Sequence, residues 1–539
     1  MSKSKNKTTK DIKAIVAIGA SAGGLNELKT FFDNTSSEHN LIYIVILHRM
    51  RDNSSMLEDL LRPHCDFPVV QVDGKSKLEP NLVFVVPPDK KVSSIDTHIH
   101  MEDLERENRA PIDVLFRSLA KSHGQKSIGV ILSGSGSDGT LGLKAVKEAG
   151  GLTIVQDPLS AEFDGMPQSC ISTGIVDKVL EVKDMPDFIW KALSVQPTLS
   201  SAFENKESGA KEELNNIFNL IKRKTGRDFN RYKTTTILRR LERRMQIYHM
   251  ASFSDYFQLL KREDDEVAAL SDEFLINVTN FFRDKEVFEG LKENVIPELL
   301  KRKKNSGYIR IWCVGCATGE EVYSLVMLFI EEMERTGVNA GLQFFASDLH
   351  HGSLEKARAG FYPGDIGVDV SKERLRRFFL SEDGGYRVKK ELRESIVFTP
   401  HNVLSDPPFS HLDLVVCRNL LIYLKKETQK DVFDLFHYSL DKDGFLVLGS
   451  SEHLDNAELF SVVEKETALY KKRDVNGPDP KLPVFPNMRL TVDSPQKNKG
   501  SKSLSNKGSL HYKLVEEIAP PSILIDAENT VVHLSATAG

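Results

Sequence analysis

Short apolar runs alternate with amphipathic stretches over residues 11–190. Five such runs predict strands, at Ile15–Ile18, Ile42–Leu47, Val83–Val86, Gly129–Leu132 and Leu152–Val155. Between the first two runs, Leu25, Leu28, Phe31 and Phe32 recur at the three-to-four spacing of a helix. Strands that alternate with helices predict an α/β domain with a doubly wound, mostly parallel sheet.

The middle of the chain loses the strand pattern and then regains it. Residues 191–209 are polar and turn-rich, which is typical of a linker. Residues 210–290 have many helix formers and no strand run, so they predict a small all-helical subdomain. The alternating pattern returns over residues 291–473 and predicts a second α/β domain with a Rossmann-like sheet. Its predicted strands are Ile309–Val314, Phe344–Ser347, Leu412–Val416 and Phe445–Leu448.

The last part of the chain has a different composition. Residues 474–509 are rich in Pro, Lys, Ser, Asn and Gly and cannot bury enough apolar surface to fold, so they predict a disordered linker. Residues 510–539 contain two strand-like runs around Glu528-Asn529 and predict a hairpin that begins a further, truncated domain.

Length and composition limit the class of protein. At about 150 residues per domain, 539 residues predict three to four domains. The net charge of −5 argues against a chain-wide nucleic-acid or membrane-surface role, and the apolar runs are far shorter than the roughly 20 residues that span a bilayer. Five cysteines indicate reduced thiols, so we expect a cytoplasmic protein. Cys313 and Cys316 lack a second ligand pair, and no metal site is predicted.

Three chemically suited residues follow predicted strands of the first domain. Ser21 lies in GASAGG between a strand and a helix, His48 ends the run LIYIVILH, and Asp138 lies in SGSGSDG after a third strand. Because a neutral serine is a poor nucleophile, the set predicts a triad in which His48 takes the Ser21 proton and Asp138 orients the imidazole. Taken singly, the three also fit a phosphate-binding or structural glycine turn, a partly buried histidine and a helix cap.

These segments, with QDPLSAEFDGMPQSCI further on, resemble the CheB-type chemotaxis methylesterase domain over residues 11–190. The resemblance implies hydrolysis of glutamate γ-methyl esters on chemoreceptors, with release of methanol, and deamidation of glutamine. By position it makes Ser21 the nucleophile, His48 the base and Asp138 the orienting carboxylate. The sequence departs from the family pattern at Leu47, Arg49 and Ser135, which affects substrate positioning and rate.

A second candidate site lies in the second α/β domain, where a strand run leads through GCATGEE into a helix. A glycine turn at a helix N-terminus suits a nucleotide-type ligand or a carboxylate, and the segment is neither G-x-G-x-x-G nor a P-loop. Its two glutamates would repel a pyrophosphate. Asp348 ends the next strand, where dinucleotide folds hold ribose hydroxyls. The charges favour S-adenosylmethionine, which carries a sulfonium and an ammonium, over NAD.

The segments NVTNFFRD, GCATGEEVYS, FFASDLH, CRNLLIY and GSSEHL resemble the CheR-type chemoreceptor methyltransferase over residues 210–473. The resemblance implies methyl transfer to receptor glutamates and assigns cofactor contacts to Asn277, Thr279, Arg283, Glu321, Asp348, Asn402, Val403, Arg418 and Asn419, with Tyr423 near the transferred methyl. A glutamate with a pKa of about 4.3 is already ionised, so no general base is needed and catalysis is expected from alignment. Arg283 is also suited to steer the acceptor carboxylate.

The segment RYKTTTILRRLERRM concentrates six basic residues and one acid on one predicted helix. It fits a solvated face or a nucleic-acid surface, although few aromatic residues are interleaved. The family resemblance favours docking to the acidic methylation helices of receptors. That interpretation assigns docking to Arg239, Arg240, Arg243 and Arg244.

The sequence as a whole predicts a bifunctional cytoplasmic signalling enzyme in which a CheB-type half removes the methyl esters that a CheR-type half installs. Expected partners are the cytoplasmic helices of chemoreceptors or related sensors, with sensor and kinase modules of a phosphorelay. The segment SILIDAENTVVHLSATAG resembles the start of a PAS domain, and a downstream sensor region is predicted to gate the two activities. The alternative is a regulatory receptor-docking scaffold with a degenerate esterase half.

Overall fold

The computed structural model describes residues 13–48, 57–88, 90–103, 110–195, 210–275, 278–303, 307–454, 458–474, 523–525 and 531–534. Within these ranges, two α/β units built on parallel strands are joined through a set of helices, so the predicted fold class is confirmed. None of the described helices is long and apolar enough to cross a bilayer.

The first unit is built on a seven-stranded parallel sheet of order β10-β9-β8-β1-β2-β5-β3. Its strands are Ile15–Ala20 (β1), Ile42–Leu47 (β2), Val69–Gln71 (β3), Leu82–Val85 (β5), Ser127–Ile131 (β8), Leu152–Gln156 (β9) and Lys178–Leu180 (β10). Its helices are Gly24–Asp33 (α1), Leu57–Leu61 (α2), Pro111–His123 (α3), Thr140–Glu148 (α4), Gly165–Ser172 (α5) and Met185–Ser194 (α6). Every residue of β1 and β2 is buried, as expected for strands that helices cover on both faces.

A small antiparallel sheet adds to this unit and was not predicted. It consists of Lys75–Lys77 (β4), Lys90–Ile95 (β6) and His98–Asp103 (β7), in the order β4-β7-β6. These strands are largely polar and partly exposed, so they carry no apolar run that a sequence pattern detects.

Four helices form the middle of the chain, as predicted from its composition. They are Ala210–Thr225 (α7), Thr234–Ile247 (α8), Phe253–Arg262 (α9) and Asp264–Leu275 (α10). Their apolar faces join the core on one side of the second sheet, whereas Ile247 packs into a core of the first unit. The helical region therefore contacts both α/β units.

The second unit has a mixed sheet of order β16-β12-β11-β17-β18-β20-β19, antiparallel only at its last two strand pairs. Its strands are Tyr308–Val314 (β11), Gly341–Asp348 (β12), Ile396–Pro400 (β16), Leu412–Cys417 (β17), Leu440–Leu448 (β18), Phe460–Glu464 (β19) and Leu469–Lys472 (β20). A separate antiparallel sheet contains Phe361–Pro363 (β13), Phe379–Glu382 (β14) and Gly385–Val388 (β15). The helices are Lys285–Gly290 (α11), Ile296–Arg302 (α12), Glu320–Thr336 (α13), His351–Ala359 (α14), Lys372–Phe378 (α15), Lys390–Arg393 (α16) and Lys426–Ser439 (α17).

Both candidate sites lie where a central strand turns into a helix through glycine. Gly23 precedes α1 with a φ of 74°, and Gly319 precedes α13 with a φ of 93°. Any other residue is strained in this left-handed conformation, and a Cβ at Gly23 would lie 2.8 Å from Ser133 Oγ. The glycines therefore allow the sharp turns that place the following backbone amides beside the strand ends.

Near the end of the chain, Ile523–Ile525 (β21) and Val531–Leu534 (β22) pair antiparallel, as the predicted hairpin requires. That these strands begin a PAS domain stays a prediction. The predicted linker 191–209 begins too early, because residues 191–194 still belong to α6, and its residues 196–209 lie outside the described residues. Of the predicted linker 474–509, only residue 474 lies within them.

Candidate active sites

Ser21 and His48 follow neighbouring strands of the first sheet. The last paired residues of β1 and β2 are Ala20 and Leu47, so the two candidates leave the sheet at the same level. The Ser21 hydroxyl donates to the backbone carbonyl of His48 at 3.3 Å, and the Ser21 amide donates to the carbonyl of Ser133 at 3.0 Å. The structure thus brings Ser21 and His48 together, although the hydroxyl bonds to the backbone of His48 and not to its imidazole.

Asp138 lies after β8, on the other side of β1. Its Oδ2 accepts from the amide of Ile112 at 3.2 Å and its Oδ1 from the amide of Asp113 at 3.1 Å, at the start of α3. Burial raises the pKa of Asp138 to about 7. Among the described residues, no hydrogen bond joins this carboxylate to His48, so the triad as a connected unit stays a prediction.

Two more carboxylates lie beside Asp138 and were not predicted as a cluster. Asp113 is fully buried and accepts from the Gly142 amide, and burial and the charge of Asp138 raise its pKa well above the usual range. Asp365 of the second unit accepts from the Ser137 hydroxyl at 2.5 Å, and burial raises its pKa to about 6. The glycine-rich loop of the first site therefore ends in an acidic cluster at the contact between the two α/β units.

The second candidate site is a cavity at the carboxyl ends of β11, β12 and β17. Its lining surrounds about 880 Å³ of empty space, a figure that includes its open mouth. Nine of the ten predicted cofactor residues line it, namely Thr279, Arg283, Glu321, Asp348, Asn402, Val403, Arg418, Asn419 and Tyr423. The tenth, Asn277, lies outside the described residues.

Asp348 connects two sides of this cavity. Its Oδ2 accepts from the Ala317 amide at 2.8 Å and its Oδ1 from the His350 amide at 2.9 Å. Burial nevertheless raises the pKa of Asp348, because the two amides do not fully compensate for lost water. Ala317 has a φ of 46°, so the carboxylate holds a strained turn in the glycine-containing loop.

A buried ion pair also lines the cavity. Arg418 is 5% exposed and donates through Nη1 to Glu321 Oε2 at 2.8 Å and through Nη2 to Asp284 Oδ2 at 2.8 Å. Burial raises the pKa of Glu321, although the Arg418 guanidinium acts in the opposite direction. Arg418 therefore fixes the position of a carboxylate that would otherwise be unpaired in an apolar surrounding.

Glu452 of the GSSEHL segment has a positioning role that the motif alone did not reveal. Its Oε2 accepts from the amides of Asn419 at 2.9 Å and Gly449 at 2.8 Å, and its Oε1 accepts from the amide of Ile422 at 3.2 Å. Asn419 has a φ of 58°, which the surrounding hydrogen bonds maintain. The carboxylate thus orders the loop that carries Arg418 and Asn419.

The lining of the cavity fits S-adenosylmethionine. Two buried carboxylates, Glu321 and Asp348, suit a ligand that carries a sulfonium and an ammonium, and they disfavour a pyrophosphate. Tyr232 and His401 also line the cavity and were missed by sequence reasoning. The buried His401 Nδ1 has no hydrogen-bond partner among the described residues, which leaves a polar atom available to a ligand.

The arginines predicted to dock receptors are mostly used within the chain. Arg240 and Arg243 are 6% and 5% exposed. Arg240 Nη1 bonds to Glu273 Oε1 at 3.1 Å, and Arg243 pairs with Asp177 of the first unit. Arg244 Nε donates to Glu266 Oε1 at 2.9 Å. The expectation of one exposed docking face is corrected for these three, because they neutralise buried acids, and Arg239 alone is exposed.

Comparison with protein families agrees with this organisation. The model for the CheB methylesterase matches residues 16–189. The model for the all-alpha domain of CheR methyltransferase matches residues 212–275, and the model for its SAM binding domain matches residues 277–469. The SAM binding domain supplies most of the residues that line the cavity, and its cofactor is S-adenosylmethionine, as predicted.

Individual relatives cover different parts of the chain. An uncharacterized 104.1 kDa protein of Rhodobacter capsulatus is 34% identical over 503 residues, covering 88% of this chain, and the chain spans about half (52%) of its length. A chemotaxis protein methyltransferase of Listeria monocytogenes is 32% identical over 257 residues, covering 47% of this chain and 94% of that protein. The crystal structure of the Thermotoga maritima CheB methylesterase catalytic domain is 26% identical, covers 33% of this chain and 97% of that chain, and gives a TM-score of 0.31.

Most of the Listeria methyltransferase is matched, and the two CheR models cover adjoining residues of the chain. Sequence similarity therefore assigns the C-terminal part of the chain to the CheR methyltransferases, in agreement with its cavity. The methylesterase model assigns the N-terminal part to the CheB methylesterases. The chain therefore belongs to the CheR methyltransferase family and carries a CheB methylesterase domain in the same polypeptide.

Proposed function

We propose that this chain methylates glutamate side chains of chemoreceptors or related sensors with S-adenosylmethionine and hydrolyses the resulting methyl esters. The single observation that carries the proposal is the convergence of nine cofactor residues, predicted from separate motifs, on one cavity. Ser21 and His48 at adjacent strand ends support the second activity.

For the transferase, S-adenosylmethionine supplies the methyl group, and the chain supplies alignment and charge. Asp348 is suited to hold ribose hydroxyls, and Glu321, fixed by Arg418, to attract the ammonium of the cofactor. Asn277, Thr279, Asn402, Val403 and Asn419 are proposed as further contacts, with Tyr423 beside the transferred methyl. The acceptor glutamate is ionised at neutral pH, so its carboxylate needs orientation and not deprotonation.

For the esterase, Ser21 is proposed to attack the ester carbonyl while His48 takes its proton and returns it to the departing methanol. Water then releases the glutamate from Ser21, and the same steps on glutamine would release ammonia. Among the described residues, the Ala22 and Gly23 amides at the start of α1 donate no hydrogen bond, which suits them to an oxyanion. Asp138 would orient the His48 imidazole once the ring turns towards it.

Methylated receptor fragments test the esterase half separately. We expect Ser21→Ala to abolish methanol release, whereas Ser194→Ala, at the exposed end of α6, leaves it unchanged. Equal release from Ser21→Ala and the wild type would eliminate the hydrolase. The bond between the Ser21 hydroxyl and the His48 carbonyl favours the alternative scaffold function, which predicts that the wild type releases no methanol but still binds receptor fragments.

We further propose that Arg239 contributes to receptor docking and that residues 510–539 belong to a PAS sensor domain. Kinase modules of a phosphorelay are the proposed further partners. Arg239 is the arginine of the basic helix that leaves its side chain exposed. A pull-down of receptor fragments with the wild type and Arg239→Glu tests that contact, and equal capture would remove Arg239 from the docking surface.

A further inference from the structure

Helix α4 of the methylesterase domain ends against the methyltransferase cavity. Its last residue, Glu148, accepts through Oε1 a hydrogen bond from Arg283 Nη2 at 2.7 Å. The backbone carbonyl of Glu148 also accepts from Arg240 Nη2 at 3.2 Å. The Glu148 and Arg283 side chains are 27% and 23% exposed, so the ion pair is partly accessible to solvent.

Arg283 is a lining residue of that cavity, together with Tyr423. Burial is the largest reason that the pKa of Tyr423 rises to about 12, and the charge of Glu148 adds to the increase. The carboxylate of Glu148 is therefore close enough to act on two residues of the cofactor cavity, although it belongs to the other catalytic domain.

We propose that Arg283 is a carboxylate-binding position of the methyltransferase cavity and that Glu148 occupies it in cis. The inference rests on the proposed transferase function, since both ligands of such a cavity carry a carboxylate. One is the methionyl carboxylate of the cofactor, and the other is the side chain of the acceptor glutamate. The planar guanidinium matches either of them, but Arg283 Nη1 already donates to the Val278 carbonyl and Nη2 to Glu148, so the edge that would bind a ligand carboxylate through two hydrogen bonds is occupied.

Neighbouring contacts hold Glu148 in place. On the same helix, Lys144 pairs with Glu320 at 3.2 Å, and Lys147 pairs with Glu273 at 2.5 Å. These partners belong to the methyltransferase part of the chain and are 2% and 8% exposed. Because these ion pairs hold α4 in place, Glu148 competes with ligand carboxylates for Arg283 as an intramolecular group, at a high effective concentration. Movement of the methylesterase domain away from this contact would free Arg283, which couples the arrangement of the two domains to methyl transfer.

The test compares the wild-type chain with Glu148→Gln and Glu148→Ala. S-adenosylhomocysteine is titrated into each protein by calorimetry, and the KM for a receptor fragment is measured with labelled cofactor. Asp369→Asn is the matched control, because it breaks the Arg117–Asp369 pair, which also joins the two domains, without touching the cavity. Circular dichroism verifies that each variant is folded.

We expect Glu148→Gln and Glu148→Ala to strengthen ligand binding about two- to fivefold, the size that a partly exposed ion pair supports, while Asp369→Asn leaves it unchanged. A tighter S-adenosylhomocysteine complex would show that Glu148 competes with the cofactor carboxylate. An unchanged complex with a lower KM would show competition with the acceptor.

Three results would overturn the inference. Unchanged affinity and unchanged KM in both Glu148 variants, in a protein that still transfers methyl groups, would overturn it and leave the proposed transferase standing. Equal gains in Asp369→Asn would assign the effect to general loosening of the domain contact. Failure of every variant and of the wild type to bind S-adenosylhomocysteine would remove the transferase and this inference together.

Discussion

Arg117 and Asp369 join the methylesterase and methyltransferase domains through two parallel hydrogen bonds of 3.0 and 2.9 Å. Nearby, Ser137 of the glycine-rich esterase loop bonds to Asp365 at 2.5 Å. Arg283 and Glu148 make a third contact at the cofactor cavity. The contact between the domains therefore reaches the surroundings of both candidate sites, so a displacement of one domain changes the surroundings of both.

The basic helix α8 provides a test of its internal role. Arg243 pairs with buried Asp177, whose pKa it lowers together with Lys147 although burial alone would raise it. We expect Arg243→Ala to lower the free energy of unfolding by about 3 kcal/mol, because the buried acids Asp177 and Glu273 lose a counter-charge. Arg239→Ala, on the exposed side of the same helix, should change it by less than about 0.5 kcal/mol. Urea unfolding followed by circular dichroism measures both.

The destabilisation by Arg243→Ala should depend on pH, because the pKa of Asp177 is lowered in the folded chain. The stability from the ion pair is present above the ordinary aspartate pKa of 3.8 and is lost as the pH falls through the lower value of the folded state. The two arginine variants should therefore differ most near neutral pH and converge in acid. Equal destabilisation by both substitutions at neutral pH would contradict the assignment of Arg243 to the domain contact.

The acidic cluster at the esterase loop predicts the opposite dependence of folding stability on pH. Burial raises the pKa of Asp138 from 3.8 to about 7, so the folded chain keeps a proton that the unfolded chain releases between these values. The corresponding stability is fully present below pH 3.8 and is lost as the pH rises through about 7. Asp138→Asn is always neutral. Its Tm relative to the wild type should therefore rise from about pH 4 to about pH 8.

Asp113 and Asp365 are close to Asp138 and also have raised pKa values, whereas the Arg117 charge lowers those of both. The Asp365→Asn variant is the control, because it shows how much the charge of Asp365 contributes to the pH dependence of Tm. A constant difference in Tm between Asp138→Asn and the wild type across this pH range would mean that Asp138 does not titrate in the folded chain.

Asp348 provides a test of the cofactor cavity. Replacing it with asparagine removes a buried carboxylate that accepts from the Ala317 amide and that we propose to bind ribose hydroxyls. We expect S-adenosylhomocysteine to bind Asp348→Asn about 10- to 100-fold more weakly, as for the loss of charge-assisted hydrogen bonds. Calorimetry measures the affinity. Asp413→Asn is the control, because Asp413 is also buried in this sheet but bonds to the Arg310 amide outside the cavity. Unchanged affinity in Asp348→Asn would refute its ribose role.

Much of the fold and one of the two sites could be predicted from sequence, because they depend on local patterns. The run Ile42–Leu47 is the observed strand, residue for residue, since six consecutive apolar residues suit a strand that is covered on both faces. Several of the predicted cofactor residues, among them Asp348, Asn402 and Arg418, lie at or just after strand ends, and parallel strands collect such residues at one edge. Short motifs that are far apart in sequence thus identified one cavity.

The errors come from contacts that no local pattern encodes. The basic pattern predicts a receptor-docking surface that includes Arg240 and Arg243, but these side chains are buried against Glu273 and Asp177, which lie 33 and 66 residues away in the sequence. A basic helix has the same pattern whether it faces solvent or buried acids. Glu148 was missed for the same reason, because its significance depends on the position of Arg283 in another domain.

The central claim is that one chain both makes and cleaves glutamate methyl esters. Its most direct test is to incubate a receptor fragment with S-adenosylmethionine labelled in the methyl group and to follow the label in protein and in methanol. We expect the wild type to label the fragment and then to release labelled methanol, Ser21→Ala to retain the label on the fragment, and Asp348→Asn to label it poorly. Equal methanol release from Ser21→Ala and the wild type, or no labelling of the fragment by the wild type, would contradict it.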